Sequence, residues 1–252
     1  MIFAEVGLNH IGKINYSKKY INFHKYNNFE VLIFQIREPE FYLREEKKHL
    51  KLPLSFYKQL SETYKKEKHK KVGISLSSLR TFNQIKKFKF NYYKILSIAA
   101  KNERLIRNIL KFSKAKIYIS CGMLNFKELK KIVLKYKNNK RIKFIYTQLS
   151  YNKNDLNLIN LFNLKEKYQS KFSYGHHYVN KIPILLTQIF KNIDLFIYIK
   201  GEKKIKHPDE KHALNFKKFQ KLLLELKEIK SIMGNKNKLT AKNTIPDQKN
   251  EK

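Results

Sequence analysis

The sequence has one cysteine, no tryptophan, seven glycines and five prolines in 252 residues. A single thiol, Cys121, excludes an internal disulfide and is typical of proteins of a reducing compartment such as the cytoplasm. No apolar run is long enough to span a bilayer, because the nearest, residues 182–199, is interrupted by Lys191, Asn192 and Asp194. The first residues show no basic-then-apolar leader, so no secretory signal is expected.

Acidic residues are also scarce, with 20 Asp and Glu against 55 Lys and Arg, which gives a formal net charge of +35. A balance this basic suits nucleic acid, an anionic membrane surface or an anionic substrate. The lysines, however, are spread over nearly every predicted helix, and no basic run accompanies a nucleic-acid-binding motif. We therefore expect solvated basic faces and no nucleic-acid partner, with polyanion binding left as an alternative.

Short β-prone runs alternate eight times with amphipathic helical patterns. Because parallel strand–helix units connect in one hand and a sheet of eight can close on itself, this order predicts a single (β/α)8 TIM barrel. An open doubly wound sheet is the alternative, but the chain lacks its glycine-rich phosphate loop. The predicted strands are residues 2–5, 31–35, 72–75, 92–96, 116–120, 142–147, 172–174 and 195–199, and the helices are residues 17–26, 53–66, 78–88, 103–112, 125–136, 157–165, 181–190 and 215–229.

The composition changes after Gly234, where Asn, Lys, Thr, Pro and Gln replace the apolar pattern. We predict a barrel over residues 1–234, a disordered polar tail over residues 235–252, and no second domain.

Polar residues follow the predicted strands, at the end where barrels of this class carry their active sites. Ammonium and hydroxyl groups there would hold phosphate or carboxylate, and imidazoles would ligate a metal. The opening loop adds two catalytic candidates, Glu5 and His10, which could equally form a structural hydrogen-bonded pair. The remaining strand-end residues are Gln35, Ser75, Lys94, Ser97, Ser120, Tyr151, His176, His177 and Lys200.

Six motifs, in order along residues 2–234, resemble the sialic-acid synthase family. Residues 4–12 are similar to the family's Ala-Glu-Ile-Gly-x-Asn-His-x-Gly, residues 34–35 to Lys-Phe-Gln, and residues 93–97 to Tyr-Lys-Ile-x-Ser. Residues 120–123 are similar to Ser-Thr-Gly-Met, residues 174–177 to Tyr-Ser-Asp-His, and residues 208–211 to Pro-Asp-His-Lys.

The resemblance implies condensation of phosphoenolpyruvate with the open-chain aldehyde of an N-acyl hexosamine, giving a nine-carbon sialic, legionaminic or pseudaminic type of acid. It also implies a role in sugar-acid or surface-polysaccharide biosynthesis. By the same resemblance, phosphoenolpyruvate would be bound by Lys94, Ser97 and Ser120, with Ser75 on the same rim. The sugar would contact Gln35, Tyr151 and Asp209. His177, with His176 as a further candidate, would ligate a divalent metal, Mn or Mg.

Among the positions where the chain departs from the family, two bear directly on proton transfer and metal binding. Ala99 stands where the family has an essential Glu, and an alanine cannot transfer a proton. Lys200 stands where the family has its second metal-binding His, so its charge would weaken the metal site and leave His176 or His10 to assist His177.

The family's C-terminal antifreeze-like domain is also not expected. Three hypotheses stay open: an impaired synthase, a non-catalytic barrel that keeps an anion or sugar pocket, and a polyanion-binding protein. The non-catalytic barrel could pair with an active paralogue, and a homodimer is also possible.

Overall fold

The computed structural model describes residues 1–168, 171–189, 193–201 and 204–234. The predicted tail, residues 235–252, lies outside the described residues, as does Phe190 at the end of one predicted helix.

Eight parallel strands in the described part of the chain close into a barrel. Each pairs with the next along the chain, and the last returns to the first, with Ile2 opposite Leu195 and Glu5 opposite Tyr198. This closure confirms the (β/α)8 prediction and excludes the open sheet. The strands are β1 (Ile2–Gly7), β2 (Val31–Gln35), β3 (Lys71–Leu76), β4 (Tyr92–Ile95), β5 (Lys116–Ser120), β6 (Ile142–Thr147), β7 (Phe172–His176) and β8 (Leu195–Lys200), followed by a two-residue β9 (Leu214–Asn215).

Helices surround the strands, and several begin at a side-chain cap. Asn125 caps its helix through a reciprocal box with Glu128, and Asn102 accepts the N–H of Leu105. No described helix has the length and apolar character needed to cross a membrane. The helices are α1 (Ile14–Tyr26), α2 (Glu45–Lys48), α3 (Leu54–Lys65), α4 (Leu79–Ile85), α5 (Glu103–Phe112), α6 (Phe126–Tyr136), α7 (Leu158–Tyr168), α8 (Ile182–Leu186) and α9 (Phe216–Ile232).

The predicted helix over residues 181–190 is shorter than expected. It stops at Leu186 and continues as a 3-10 turn, Thr187–Ile189. The hydroxyl of Thr187 donates to the carbonyl of Ile184 at 2.6 Å, and a side chain that competes for backbone carbonyls in this way disfavours a regular α-helix.

The strands separate two apolar cores. The outer core lies between strands and helices, whereas the inner core fills the lumen. Successive strand residues face opposite sides, so alternate residues alone reach the lumen. Phe3 and Phe196 stack there with ring centroids 4.3 Å apart. The lumen core consists of Phe3, Val31, Ile33, Tyr92, Tyr118, Ile145 and Phe196.

The amino end of the lumen is closed by a carboxylate with three partners. Asp194 accepts the Met1 amine at 3.1 Å, the Lys143 ammonium at 2.7 Å and the Tyr118 hydroxyl at 2.8 Å. Burial alone would raise the pKa of Asp194, but the hydrogen bond and charge of Lys143 and the charge of the amine together hold that pKa below its usual range. At this end of the barrel the buried carboxylate therefore finds its hydrogen-bond partners within the protein.

Candidate active site

A ring of polar side chains lies directly beyond the lumen core, toward the carboxyl ends of the strands. Each member stands two residues after a lumen-facing position, so the period of two that builds the core also places the ring. Its members are buried, and we refer to them as the polar layer. They are Glu5, Gln35, Ser75, Lys94, Ser120, Thr147 and Tyr198, while β7 contributes Gly175 at this level.

A buried ion pair occupies the centre of the polar layer. The Lys94 Nζ lies 2.7 and 2.5 Å from the two carboxylate oxygens of Glu5, and the side chains are only 3% and 2% exposed. The ammonium also lies 5.4 Å from the ring centre of Tyr198 and 5.5 Å from that of Phe196. Glu5, one of the two catalytic candidates, is therefore the ion-pair partner of Lys94 inside the barrel.

The serines predicted to bind an anion lie on the same side of the lumen as Lys94. Ser75 is opposite Lys94 in the β3–β4 register. Ser97 begins the turn after β4, and its hydroxyl lies 2.8 Å from that of Ser120 at the end of β5. The structure thus brings these four predicted residues together on three neighbouring strand ends. Ala99, two residues beyond Ser97, is buried in the outer apolar core.

The opening motif positions a carboxylate from the far end of the chain. The backbone N–H of Asp209, after β8, donates to the Asn9 side-chain oxygen at 3.0 Å, and the Asn9 amide donates to the carbonyl of Ile199 at 2.9 Å. Gly7 has a φ of +54°, and a Cβ there would lie 2.8 Å from an Asp209 carboxylate oxygen and 2.7 Å from the Tyr198 ring. Glycine is therefore required at position 7 for Asp209 to approach β1.

Asp209 is a carboxyl group in an environment that opposes its ionisation. Its side chain is 24% exposed. Burial, followed by the negative charge of Glu5, raises the pKa of Asp209 to about 7, although the Lys94 charge acts in the opposite direction. Near neutral pH this group is therefore present in both protonation states.

Two imidazoles lie side by side at the same end of the barrel. His177, just after β7, places its Nδ1 2.9 Å from the Thr147 hydroxyl, and its ring centre lies 4.8 Å from that of His212. His212 lies in the loop between β8 and β9, and its Nδ1 is 3.3 Å from the Tyr151 hydroxyl. Its Nε2 is buried, lacks a hydrogen-bond partner within the described chain, and lies 4.0 Å from a carboxylate oxygen of Asp209.

Both imidazoles are neutral at pH 7. Burial, assisted by the Lys94 charge, lowers the pKa of His212 to about 4. Burial and the neighbouring His212 hold the pKa of His177 well below its usual value. Each ring therefore keeps one nitrogen with a free lone pair.

Two predicted histidines lie elsewhere. His176 faces the outer core, where its Nδ1 is 3.3 Å from the Tyr174 hydroxyl, because neighbouring strand residues point in opposite directions. His10 packs against Phe34 of the outer core and accepts the N–H of Gly12 at 3.0 Å. Neither histidine is therefore beside His177 to replace the ligand lost at Lys200.

Lys200 is held by a neighbouring acid. Its ammonium bonds to the carboxylate of Glu210 and, at 3.1 Å, to the carbonyl of Glu210. The same carboxylate accepts the backbone N–H of His207 at 3.2 Å. The charge that was expected to repel a metal is thus paired with Glu210.

The remaining sugar-site predictions occupy different depths. Gln35 is buried in the polar layer, and Tyr151 is 46% exposed beside His212. Tyr198 and His212 also belong to the site, although neither is among the predicted site residues. The period of two from Phe196 indicates that Tyr198 faces the lumen, and the three-residue spacing between Asp209 and His212 is the only local signal for the second imidazole.

The resemblance implies a divalent metal, and the side chains present fit one in part. Among the described residues, no group of three or more His, Cys, Asp or Glu side chains is arranged to hold a metal ion. His177 and His212 nevertheless offer two neutral imidazoles, one with an orphaned buried nitrogen. This donor set suits a divalent transition metal whose other positions are open to water or substrate oxygens.

The chain is similar to known proteins of one family. The model of the NeuB family matches residues 19–238. Two pseudaminic acid synthases of Campylobacter jejuni subsp. jejuni, serotypes O:2 and O:23/36, are each 24% identical over 262 residues, which cover 92% of this chain and 74% of the relative.

Solved structures of similar fold include N-acetylneuraminic acid (sialic acid) synthetase from Leptospira borgpetersenii serovar Hardjo-bovis in complex with citrate. Its TM-score is 0.82 at 21% identity, covering 99% of this chain and 89% of that one. A spore coat polysaccharide biosynthesis protein E from Chromobacterium violaceum has a TM-score of 0.80 at 14% identity, covering 99% and 80%. These likenesses support the fold.

Proposed function

The chain belongs to the NeuB family, and we propose that it is an impaired synthase that condenses phosphoenolpyruvate with an open-chain N-acyl hexosamine. The product would be a nine-carbon sugar acid of the sialic, legionaminic or pseudaminic type. Relatives described as pseudaminic acid synthase and N-acetylneuraminic acid synthetase support this reaction class. The observation that carries the proposal is the buried Lys94 ammonium, which lies beside serine hydroxyls at the carboxyl end of the lumen.

Lys94 and the serines have hydrogen-bond donors that are available to phosphoenolpyruvate. An ammonium has three N–H groups, and the contacts to Glu5 account for two of them. The bond between Ser97 and Ser120 uses one hydroxyl proton and leaves the other free. These groups, with Ser75, bind the phosphate and carboxylate oxygens by charge-assisted hydrogen bonds.

The sugar approaches from the open end, where Gln35, Tyr151 and Asp209 orient its hydroxyl groups. In the reaction, C3 of phosphoenolpyruvate bonds to the aldehyde carbon, whose oxygen takes a proton. Water adds at C2, and inorganic phosphate leaves. A divalent metal, when bound, polarises the aldehyde for this attack. Holding both reactants in one lumen lowers the entropic barrier to their meeting.

Proton transfer is the weak point of this site. Ala99 stands where the family has a Glu and is buried in the outer core, away from solvent. Loss of one general acid or base typically slows turnover by about 10²–10⁴-fold. The same observation favours a second candidate function, a barrel that binds phosphoenolpyruvate or a sugar without turning it over.

We would test the proposal with the full chain, phosphoenolpyruvate, Mn²⁺ and a panel of N-acyl hexosamines, measuring phosphate release and product mass. Slow release that depends on the sugar supports the synthase. Thermal stabilisation by phosphoenolpyruvate without release would support the binding barrel. If phosphoenolpyruvate produces no thermal stabilisation and no phosphate is released, both candidate functions are contradicted.

A matched pair of serine substitutions locates the anion pocket. Ser120→Ala should raise KM for phosphoenolpyruvate by roughly tenfold, because one hydrogen bond to a charged group is lost. Ser173→Ala is the control, since Ser173 is also buried but its hydroxyl has no hydrogen-bond partner in the described chain. If the two substitutions change KM equally, the anion pocket does not include Ser120.

A further inference from the structure

The loop between β8 and α9 carries an imidazole to the carboxyl end of the lumen. His212 packs against Tyr198 with ring centres 4.9 Å apart and against His177 at 4.8 Å. Its side chain is 6% exposed, and its Nε2 is buried without a hydrogen-bond partner in the described chain. Burying such a nitrogen unpaired costs free energy, which a ligand at that nitrogen would recover.

The hydrogen bonds of the two rings leave corresponding nitrogens available. The Nδ1 of His177 is engaged by the Thr147 hydroxyl and the Nδ1 of His212 by the Tyr151 hydroxyl. A metal-bound histidine characteristically uses its second ring nitrogen in such a contact, which fixes the ring and its tautomer. The Nε2 atoms of both rings are therefore the candidate donors.

The spacing of the rings suits a shared ion. Two imidazole nitrogens, each about 2.1 Å from one ion and roughly at right angles, bring their ring centres to about 4.5–5 Å. The observed separation between His177 and His212 is 4.8 Å.

The charged groups around the two rings are carboxyl groups and lysines that pair with one another. Glu5 and Asp209 contribute carboxylates, and Lys94 is paired with Glu5. Lys200 is paired with Glu210. Both neighbouring lysines thus have a counter-ion, and the carboxyl of Asp209 lies 4.0 Å from the Nε2 of His212.

We propose that the Nε2 atoms of His177 and His212 bind one divalent transition-metal ion, with the other coordination positions taken by water or substrate oxygens. His212 then performs the task that the resemblance assigned to a histidine at position 200. The use of the ion in catalysis rests on the proposed function, whereas its binding does not.

The test is equilibrium dialysis of the full chain against Mn²⁺, with bound ion followed by its electron paramagnetic resonance signal. Wild type should bind about one ion per chain. His212→Ala and His177→Ala should each weaken binding at least about tenfold. His176→Ala is the matched control, because this neighbouring histidine faces the outer core, and it should keep wild-type affinity. Circular dichroism verifies folding, and His212→Gln replaces any alanine variant that does not fold.

Binding that His212→Ala and His212→Gln leave unchanged would overturn the site, as would an equal loss in His176→Ala. Absence of binding to wild type at millimolar Mn²⁺ would overturn it as well. The two proposals can fail separately. Mn²⁺ binding without phosphate release refutes the synthase alone, whereas release that persists in EDTA, with no Mn²⁺ bound, refutes the metal site alone.

Discussion

The barrel buries charged side chains at both ends of its lumen, but the two ends differ in how those charges are satisfied. At the amino end, Asp194 has two cationic partners and a hydroxyl, and its pKa lies below the usual range. At the carboxyl end, Asp209 has a pKa raised to about 7, and no described residue bonds to the buried Nε2 of His212.

The comparison distinguishes a structural network from a site prepared for a ligand. A buried polar group with all its partners in the protein adds rigidity and has nothing left to offer. Groups whose pKa values are strongly perturbed and whose atoms remain unpaired are concentrated at functional sites. The lumen core between the two ends, which includes Phe3 and Phe196, keeps the two networks apart.

The largest effect is expected from breaking the ion pair of the polar layer. Lys94→Met should lower the free energy of unfolding by about 3–5 kcal/mol, because it leaves the Glu5 carboxylate buried without its partner. Urea denaturation measures this loss. The double variant Glu5→Gln with Lys94→Met removes both charges, so it should regain most of the stability. It should not release phosphate, because the Lys94 ammonium is still missing. A single variant as stable as wild type would show that the pair is not buried in solution.

Asp209→Asn should have the opposite sign. An acid whose pKa is raised on folding destabilises the native state once it ionises. The contribution of the Asp209 carboxyl to the free energy of unfolding is therefore fully present below pH 3.8 and is lost as the pH rises through about 7. Asn cannot ionise. In EDTA at pH 8 the variant should be more stable than wild type by up to about 4 kcal/mol, since one pKa unit corresponds to about 1.4 kcal/mol. The gain should disappear near pH 4. Denaturant titrations at pH 8 and pH 4 measure this difference, and a variant less stable than wild type at pH 8 would contradict the raised pKa.

At the other end of the lumen, Asp194→Asn should lower stability by about 2 kcal/mol at pH 7, because hydrogen bonds to charged groups are lost. A carboxyl with a depressed pKa stabilises the fold above its unfolded-state value of 3.8, and this contribution falls away as the pH drops through that range. The deficit should therefore shrink in acid. Mn²⁺ affinity and phosphate release should not change, and a change in either would show that the two ends are coupled.

The smallest effect is expected for Glu210→Gln, which removes the partner of Lys200. The Glu210 side chain is 44% exposed, so solvent screens the pair and the loss should be below about 1 kcal/mol. Thermal unfolding against wild type provides the measurement. A loss as large as that of Lys94→Met would mean that Lys200 is held as tightly as the central lysine.

Much of the fold could be predicted because its signals are local. The bounds of β2, β5, β6 and α5 agree with the predicted ranges. These strands are short apolar runs between polar turns, and α5 begins after an Asn cap. Strands β1 and β7 extend beyond the predicted ends, to Gly7 and His176, since pairing with neighbouring strands continues past the apolar run.

The predicted strand ends indicated that Lys94, Ser75, Ser97 and Ser120 lie at one end of the barrel, and the structure brings them together there. The choice among histidines could not be made in the same way. His176 and His177 are adjacent in sequence, but strand alternation turns His176 to the outer core, and only the registration of β7 against β6 shows which ring meets Thr147.

Local sequence is sufficient to predict the eight strand–helix units and the residue types that end the strands, because backbone periodicity and caps act within a few residues. Tertiary structure alone decided that Lys94 pairs with Glu5, 89 residues away, that Asp209 retains its proton to about pH 7, and that His212 lies beside His177. Each of these depends on barrel closure, since burial and the charges of distant strands, acting through space, set both the contacts and the pKa values.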